Sequence, residues 1–457
     1  MKPLSLIDNI MLFMERPAQP MHVGALCLFR PPADAPPDFV SRLAERLRQS
    51  TTTAPPFNRR VVRHLGIRFW EESADFDLAQ HFVHLALPQP GRIRELLAMI
   101  SRMHAAHLDR AYPLWRAYLI EGLEDGRIAL YAKIHHAMAD GVSGIRLLTQ
   151  AMAASAEDSL AMPAPWELHT PKGGRRSLPV PTSALRSMEA LRALTREGVT
   201  GVRPVFARMK QTLRDQRGGH PDCVGSLQAP PSIFNRNISG SRRFAAQSYA
   251  AARFKAVARR FDATSNDVVL AACGGALRRY LLALGELPDR PLIAAVPVST
   301  RRDNRDSGNE IAFALSHLGT HIAEPAPRLR AVKACMDYNK AVLRTLKPAQ
   351  LLAYEGLMFA PGALNLLTGL HRQRAIVNLV ISYVRAPRRP LYWQGCALHG
   401  LYPVSLIIDG VALNITLTAR GDALDFGLIG CRKTLPHLQR LLDDLEASIS
   451  ELETATP

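Results

Sequence analysis

The 457 residues include only six cysteines, at positions 27, 223, 273, 335, 396 and 431, and no two are close in sequence. Cysteines standing singly argue against zinc knuckles and against a disulfide framework, and favour a reducing cytoplasm. Long apolar runs are missing too. The best, Ala375 to Val384, is cut by Asn378 and falls short of the roughly 18 residues that would cross a bilayer. The opening MKPLSLIDNIMLFM puts Asp8 and Asn9 inside its apolar stretch, where a secretory signal would be uninterrupted. A cytoplasmic setting is expected. Glycine (29) and proline (33) are too sparse for a collagen-like or low-complexity chain. Acidic residues are in deficit, 40 against 57 Lys and Arg, which leaves a net charge of +17.

What is present is a globular composition, 47% hydrophobic and 21% charged, in a chain too long for one ordinary core at roughly 150 residues per domain. A charge of +17 invites a polyanionic partner: nucleic acid, an anionic membrane surface or a phosphorylated cofactor. Nucleic acid is disfavoured, since no helix-turn-helix, zinc-finger or aromatic RNP-like pattern occurs and the arginines are scattered.

Residues 1–155 alternate strand and helix periodicity. His22 to Phe29 reads as a strand, Asp38 to Gln49 and Ile93 to His107 as helices. Tyr118 to Glu121 and Arg127 to Ile134 form short strands around Glu124-Asp125-Gly126, and Val142 to Met152 returns to helix. Residues 156–240 read as a linker: Pro163, Pro165, Pro171, Pro179 and Pro181 surround a Lys172-to-Arg176 basic run, followed by a basic helical stretch at about 183–216. Residues 241–457 resume the mixed rhythm, with strands at Phe244 to Ala250, Leu292 to Val298, Ile376 to Val384, Pro403 to Ile408 and Leu413 to Thr418. Helices are expected at Arg253 to Phe261, Asn266 to Leu284 and Leu435 to Leu452. The fold class is α/β, as two mixed halves.

The densest chemical signal is Ile134-His135-His136-Ala137-Met138-Ala139-Asp140-Gly141, at a strand-to-helix junction. Imidazole titrates near working pH, so a histidine set beside a carboxylate suits general base chemistry. With this composition the string His-His-x-x-x-Asp-Gly arises by chance roughly once in a thousand chains. Gly141 is expected to permit a tight turn after Asp140. A metal site on His136 and Asp140 would lack a third ligand at recognisable spacing. Gly141-Val142-Ser143-Gly144 is one residue short of a hydrolase Gly-x-Ser-x-Gly. His135 and Asp140 fit the His-x4-Asp spacing of glycerolipid acyltransferases, which carry membrane segments this chain lacks.

Elsewhere, Leu114 and Trp115 read most simply as core, Asn266 and Asp267 as the cap of their helix (with Ser265 as an alternative N-cap), and His22 as a strand residue.

Taken together, these segments resemble the bacterial wax ester synthase/diacylglycerol acyltransferases, within the acyl-CoA-dependent acyltransferase superfamily. The resemblance rests on Leu4-Ser5 to Asp8, Glu15 and Pro20-Met21-His22-Val23-Gly24, then Pro113-Leu114-Trp115 with Glu121-Gly122-Leu123. His135-His136 with Asp140-Gly141 matches the active-site motif and Ser265-Asn266-Asp267 to Leu270 the Asn-Asp helix. Pro297-Val298-Ser299, Tyr402-Pro403 and Leu413-Asn414-Ile415 fit the C-terminal half. Two segments depart from the family pattern. Ser382-Tyr383-Val384-Arg385-Ala386-Pro387 stands where Ser-Asn-Val-Pro-Gly-Pro is usual, and Ala419-Arg420-Gly421 where Ser-Tyr-x-Gly is usual.

The resemblance implies two chloramphenicol-acetyltransferase-like sub-domains with the active site at their interface. It implies transfer of a fatty acyl group from acyl-CoA, as co-substrate, to a long-chain alcohol or diacylglycerol, with no bound cofactor and no metal. His136 is then the base, His135 shapes the loop, and Asp140 pairs with an arginine to hold the turn. Gly141, Asn266 and Asp267 support the site, and Pro113, Leu114 and Trp115 contribute to substrate binding. The alternatives are a non-enzymatic lipid-binding protein of the same fold, motivated by the altered 382–387 stretch, and a condensation-type amide-forming enzyme. Water-insoluble acceptors imply visits to a membrane or lipid-droplet surface, with the basic region Arg186 to Arg217 as the expected docking face.

Overall fold

Two six-stranded sheets carry the molecule, in a computed structural model that describes residues 1–50, 52–168, 199–299 and 311–456. The first sheet has the order Tyr392–Trp393, Cys396–Val404, His22–Arg30, Ile128–His135, Trp115–Glu121, Phe82–Ala86. Its central strand, His22–Arg30, is apolar along nearly its whole length because both faces are covered. Val23, Ala25, Cys27 and Phe29 enter one core cluster, and Leu26 and Leu28 the other, as a period of two requires.

The second sheet has the order Ile311–His317, Ile293–Ser299, Leu379–Arg385, Leu413–Arg420, Ala423–Cys431, Arg242–Ala250. Leu379–Arg385 runs parallel to both of its neighbours. Helices Ser265–Leu284, Pro325–Arg344 and Arg440–Thr454 pack together beside this sheet. Ser265–Leu284 starts with a capping box, in which Thr264 Oγ1 accepts from the Asp267 N–H (3.2 Å) and Asp267 Oδ2 accepts from the Thr264 N–H (2.9 Å). It packs so closely that a Cβ on Gly274 would lie 2.1 Å from the Leu318 carbonyl oxygen.

The halves exchange chain. Tyr392–Trp393 and Cys396–Val404 belong in sequence to the C-terminal half and in space to the N-terminal sheet, where Cys396–Val404 pairs with His22–Arg30. Bonds across the junction are specific. His104 Nε2 lies 2.9 Å from the Ser405 carbonyl, Phe244 N donates to Ser101 Oγ (2.8 Å), and Arg242 donates to the Ala18 carbonyl (2.8 Å).

Several elements differ from expectation. The strand anticipated at Pro403 to Ile408 is Cys396–Val404, because pairing with His22–Arg30, around an irregularity at Leu398/Gly400, sets its span. Helices Pro325–Arg344 and Pro348–Thr368 and the hairpin Arg59–His64/Ile67–Glu72 were not read from periodicity. Residues 169–198, including most of the proline-rich and basic linker, lie outside the described residues. The basic helix that follows, Val199–Arg217, does not stand apart from both halves: Val205 is buried and Thr212 Oγ1 meets Tyr354 Oη at 2.9 Å, which seats it on the C-terminal half.

Candidate active site

The two histidines are placed by backbone bonds from opposite sides. His135 N donates to the Leu114 carbonyl and His136 N to the Met21 carbonyl, each at 2.8 Å. Leu114 and Met21 immediately precede the strands that flank Ile128–His135, so the sheet itself fixes where the pair emerges.

His135 is fully buried. Its Nδ1 accepts from Ala137 N at 3.1 Å, which assigns the ring proton to Nε2, 3.7 Å from Glu15 Oε1. Burial brings the His135 imidazole down to about 4 despite the nearby Glu15 charge. Burial alone would raise the Glu15 carboxyl, but His135, Arg110 and the Met21 N–H together hold it below its usual value. Arg110 grips Glu15 Oε2 through Nε (3.1 Å) and Nη2 (2.8 Å). Neither Glu15 nor Arg110 was singled out as a site residue from the sequence. Glu15 sat in the matched opening segment, whereas nothing local distinguishes Arg110 among so many arginines.

Asp140, 2% exposed, caps helix Gly141–Gln150 by accepting from Ser143 N at 2.7 Å. Gly141 corrects an expectation, since its backbone is outside the left-handed region and the turn does not need glycine there. A Cβ at Gly141 would meet nothing within 4 Å. That open space is cavity wall.

His136 faces a chamber of about 3680 Å³, counting the part open to solvent, between the two halves. The C-terminal sheet supplies Val380, Ser382 and Val384, alternate residues of one face, together with Asn414 and Thr416. Asn266, in the first turn of Ser265–Leu284, lines the same chamber. Asp267 does not; it is fully buried in its capping box and lies 3.3 Å from Lys340 Nζ. The N-cap is Thr264, so the expected alternative cap at Ser265 is displaced by one residue.

Among the described residues, the charged side chains that line this chamber are Arg146, Lys255, Lys340, Arg344, Arg385 and Arg388, with no Asp or Glu beside them. Arg385, Ala386 and Pro387, from the segment that departs from the family pattern, all reach it.

A second, apolar cavity, about 620 Å³ counting the part open to solvent, lies under helix Gly141–Gln150 and shares Val23, Gly24, Gly141 and Ile145 with the chamber wall. Its lining includes Trp115, Trp166 and Phe57. Trp115 is anchored by Nε1 donating to the Phe57 carbonyl (2.8 Å) and stacks on His81, 4.6 Å between centroids. Pro113 and Leu114 are buried and border neither cavity; the Leu114 carbonyl acts on His135 instead. His22 pairs across the sheet with His135, is fully buried, and has Nε2 2.8 Å from the His104 carbonyl.

The arrangement of two sheet-rich α/β halves is shared with solved structures. The first condensation domain of the calcium-dependent antibiotic synthetase has this fold, with a TM-score of 0.61 at 17% identity, covering 99% of this chain and 96% of that one. The wax ester synthase/diacylglycerol acyltransferase of Marinobacter aquaeolei VT8 is more similar, with a TM-score of 0.79 and 40% identity over 99% of both chains. The O-acyltransferase WSD of Acinetobacter baylyi is 43% identical over 454 residues, covering 99% of this chain and 97% of its own length. A putative diacylglycerol O-acyltransferase of Mycobacterium tuberculosis is 43% identical over 461 residues, covering 99% of each. The wax ester synthase/diacylglycerol acyltransferase catalytic-domain model matches residues 4–269, and the WS/DGAT C-terminal domain matches residues 307–453. The chain belongs to the wax ester synthase/diacylglycerol acyltransferase family and is an acyltransferase.

Proposed function

We propose that the chain moves a fatty acyl group from acyl-CoA to the hydroxyl of a long-chain alcohol or a diacylglycerol, making wax esters or triacylglycerol. The observation that carries this reading is the meeting of two unlike spaces: a chamber that holds His136 and is lined, among the described residues, by six cations and no acid, and, sharing its wall, an apolar cavity. The first suits the phosphates of coenzyme A, the second a hydrocarbon chain.

In the reaction His136 takes the hydroxyl proton as the alcohol oxygen attacks the thioester carbonyl. The tetrahedral oxyanion is stabilised by donors at the site, a backbone N–H or the Asn266 amide. The C–S bond then breaks, the ester forms, and coenzyme A leaves as a thiolate that recovers the proton from His136. A thiol of pKa near 8.5 is a good leaving group, so no separate strong acid is needed. A positioned base of this kind supplies about 10²–10⁴-fold in rate. The scheme uses neither a metal nor a bound cofactor.

His135, held between Ala137 N and Glu15, keeps the loop in shape, and Asp140 anchors the helix that carries one wall of both cavities. The docking of water-insoluble acceptors is proposed to be peripheral; among the described residues no helix is long and apolar enough to cross a membrane. Turnover of palmitoyl-CoA with hexadecanol or a diacylglycerol, with ester product identified, tests the reading. Thioester consumption only with an amine acceptor would favour amide-forming condensation, and binding without turnover would favour a lipid-binding role.

A further inference from the structure

Among the described residues, one corner exposes apolar side chains that the fold does not use. Helix Leu6–Met14 buries Met11 and Leu12 but leaves Leu6 50% and Phe13 73% exposed. These two are seven residues apart and share a face two turns long. Beside them is the tip of the hairpin Arg59–His64/Ile67–Glu72. The register Lys2 to Trp70 and Pro3 to Phe69, continued by Leu4 N donating to the Arg68 carbonyl, sets Ile67 against the start of the helix. Ile67 is 58% exposed and Leu65 is fully exposed. Leu65 also has φ +46°, a left-handed backbone that a side-chain-bearing residue resists. A branched apolar residue in that conformation, displayed to water, gains nothing from packing.

Around the helix and the hairpin tip the exposed charges have one sign; the hairpin's acids, Glu71 and Glu72, lie at its far end and pair with Arg60 and Arg59. Lys2, Arg16 and Arg63 are exposed. The only acids in residues 1–16 are Asp8 and Glu15. Asp8 is buried, 3.3 Å from Trp70 Nε1, and Glu15 is turned to Arg110 and His135. Residues 59–70 contain no acid.

We propose that this corner, helix Leu6–Met14 with the tip Leu65 to Ile67, rests on an anionic lipid surface that supplies the hydrophobic acceptor. The commitment to lipid rests on the acyltransfer reading, because long-chain alcohols and diacylglycerols reside in such surfaces. It rests equally on charge: a patch of exposed apolar side chains ringed by cations fits an anionic interface. The chain leaving this helix reaches Glu15, which faces His135, and Met21, whose carbonyl holds His136. Docking here sets the lipid beside the catalytic loop, whereas the basic helix Val199–Arg217 is seated on the other half.

Flotation of the full chain with phosphatidylcholine vesicles, with and without phosphatidylglycerol, tests the proposal. The wild type is expected to float with the anionic vesicles and to be released by high salt. The triple variant Phe13→Ser/Leu65→Ser/Ile67→Ser is expected to lose at least about tenfold in vesicle affinity. Lys2→Glu/Arg63→Glu is expected to lose about fivefold per charge, on anionic vesicles alone. Both variants should keep wild-type turnover of acyl-CoA with a short, water-soluble alcohol, which separates lost docking from lost fold. Absence of that turnover in the wild type would instead count against the acyltransfer reading, whatever the vesicles show. Equal wild-type binding to both vesicle types, undiminished binding of the triple variant, or binding lost only in Lys210→Glu/Arg214→Glu would each overturn the proposal. So would self-association in light scattering that the triple variant abolishes while vesicle binding persists, since the corner would then meet a second copy of the chain.

Discussion

Glu15 Oε1 lies 3.7 Å from Nε2 of His135, joining the loop after the first helix to the histidine motif more than a hundred residues later. The first histidine of the motif is thereby a buried, neutral strut, with one ring nitrogen on a backbone N–H and the other facing a carboxylate held by Arg110.

This arrangement has a pH signature. The His135 value falls from 6.5 to about 4 on folding, so between those limits the unfolded chain binds the extra proton and the native one does not. The stability that this residue contributes is therefore complete above pH 6.5 and is lost progressively as the pH falls towards 4. At ~1.4 kcal/mol per unit the loss is about 3 kcal/mol from this residue. Lowering of the Glu15 carboxyl acts in the same direction at more acid pH, since that contribution disappears as the carboxylate is protonated. Urea denaturation across this range should show the decline in the wild type and a shallower one in His135→Asn, whose amide oxygen can still accept from Ala137 N. Equal slopes would contradict the assignment.

The capping role of Asp140 separates two substitutions. Asp140→Ala removes the acceptor for Ser143 N and should cost about 1 kcal/mol of stability. Asp140→Asn keeps an oxygen in place and should cost less, so melting temperatures should rank wild type, then Asn, then Ala. Large rate losses in both variants with unchanged melting temperatures would assign Asp140 a direct part in the chemistry.

Arg385 lies in the segment that departs from the family pattern and Arg388 immediately follows it, and both line the chamber. If their charge serves the coenzyme A phosphates, Arg385→Ala/Arg388→Ala should raise KM for palmitoyl-CoA by about tenfold, at ~1 kcal/mol or less per exposed ion pair. KM for palmitoyl-pantetheine, which lacks those phosphates, should stay unchanged. Equal effects on both thioesters would show that the arginines act on loop shape instead.

Sequence patterning recovered strands and helices whose burial follows one period, such as His22–Arg30 and Ser265–Leu284. It missed Pro348–Thr368, which is apolar almost throughout and carries Pro361 inside it, so no amphipathic stripe marks it as a helix. The return of Cys396–Val404 to the first sheet was also hidden. Strand pairing across hundreds of residues leaves no local trace, whereas the His-His-x-x-x-Asp-Gly string is local and was legible at once. Asn266 and Asp267 show the limit of motif reading: adjacent in sequence, they divide between chamber wall and helix cap because successive helical residues point about 100° apart.

The central claim is that His136, at the chamber wall, removes the proton from the acceptor hydroxyl. Turnover of palmitoyl-CoA with hexadecanol by His136→Ala, with folding verified by its melting curve, tests it most directly. Ester formation is expected to fall by about 10²–10⁴-fold with the melting temperature close to wild type. Near wild-type ester formation by the folded variant would contradict it.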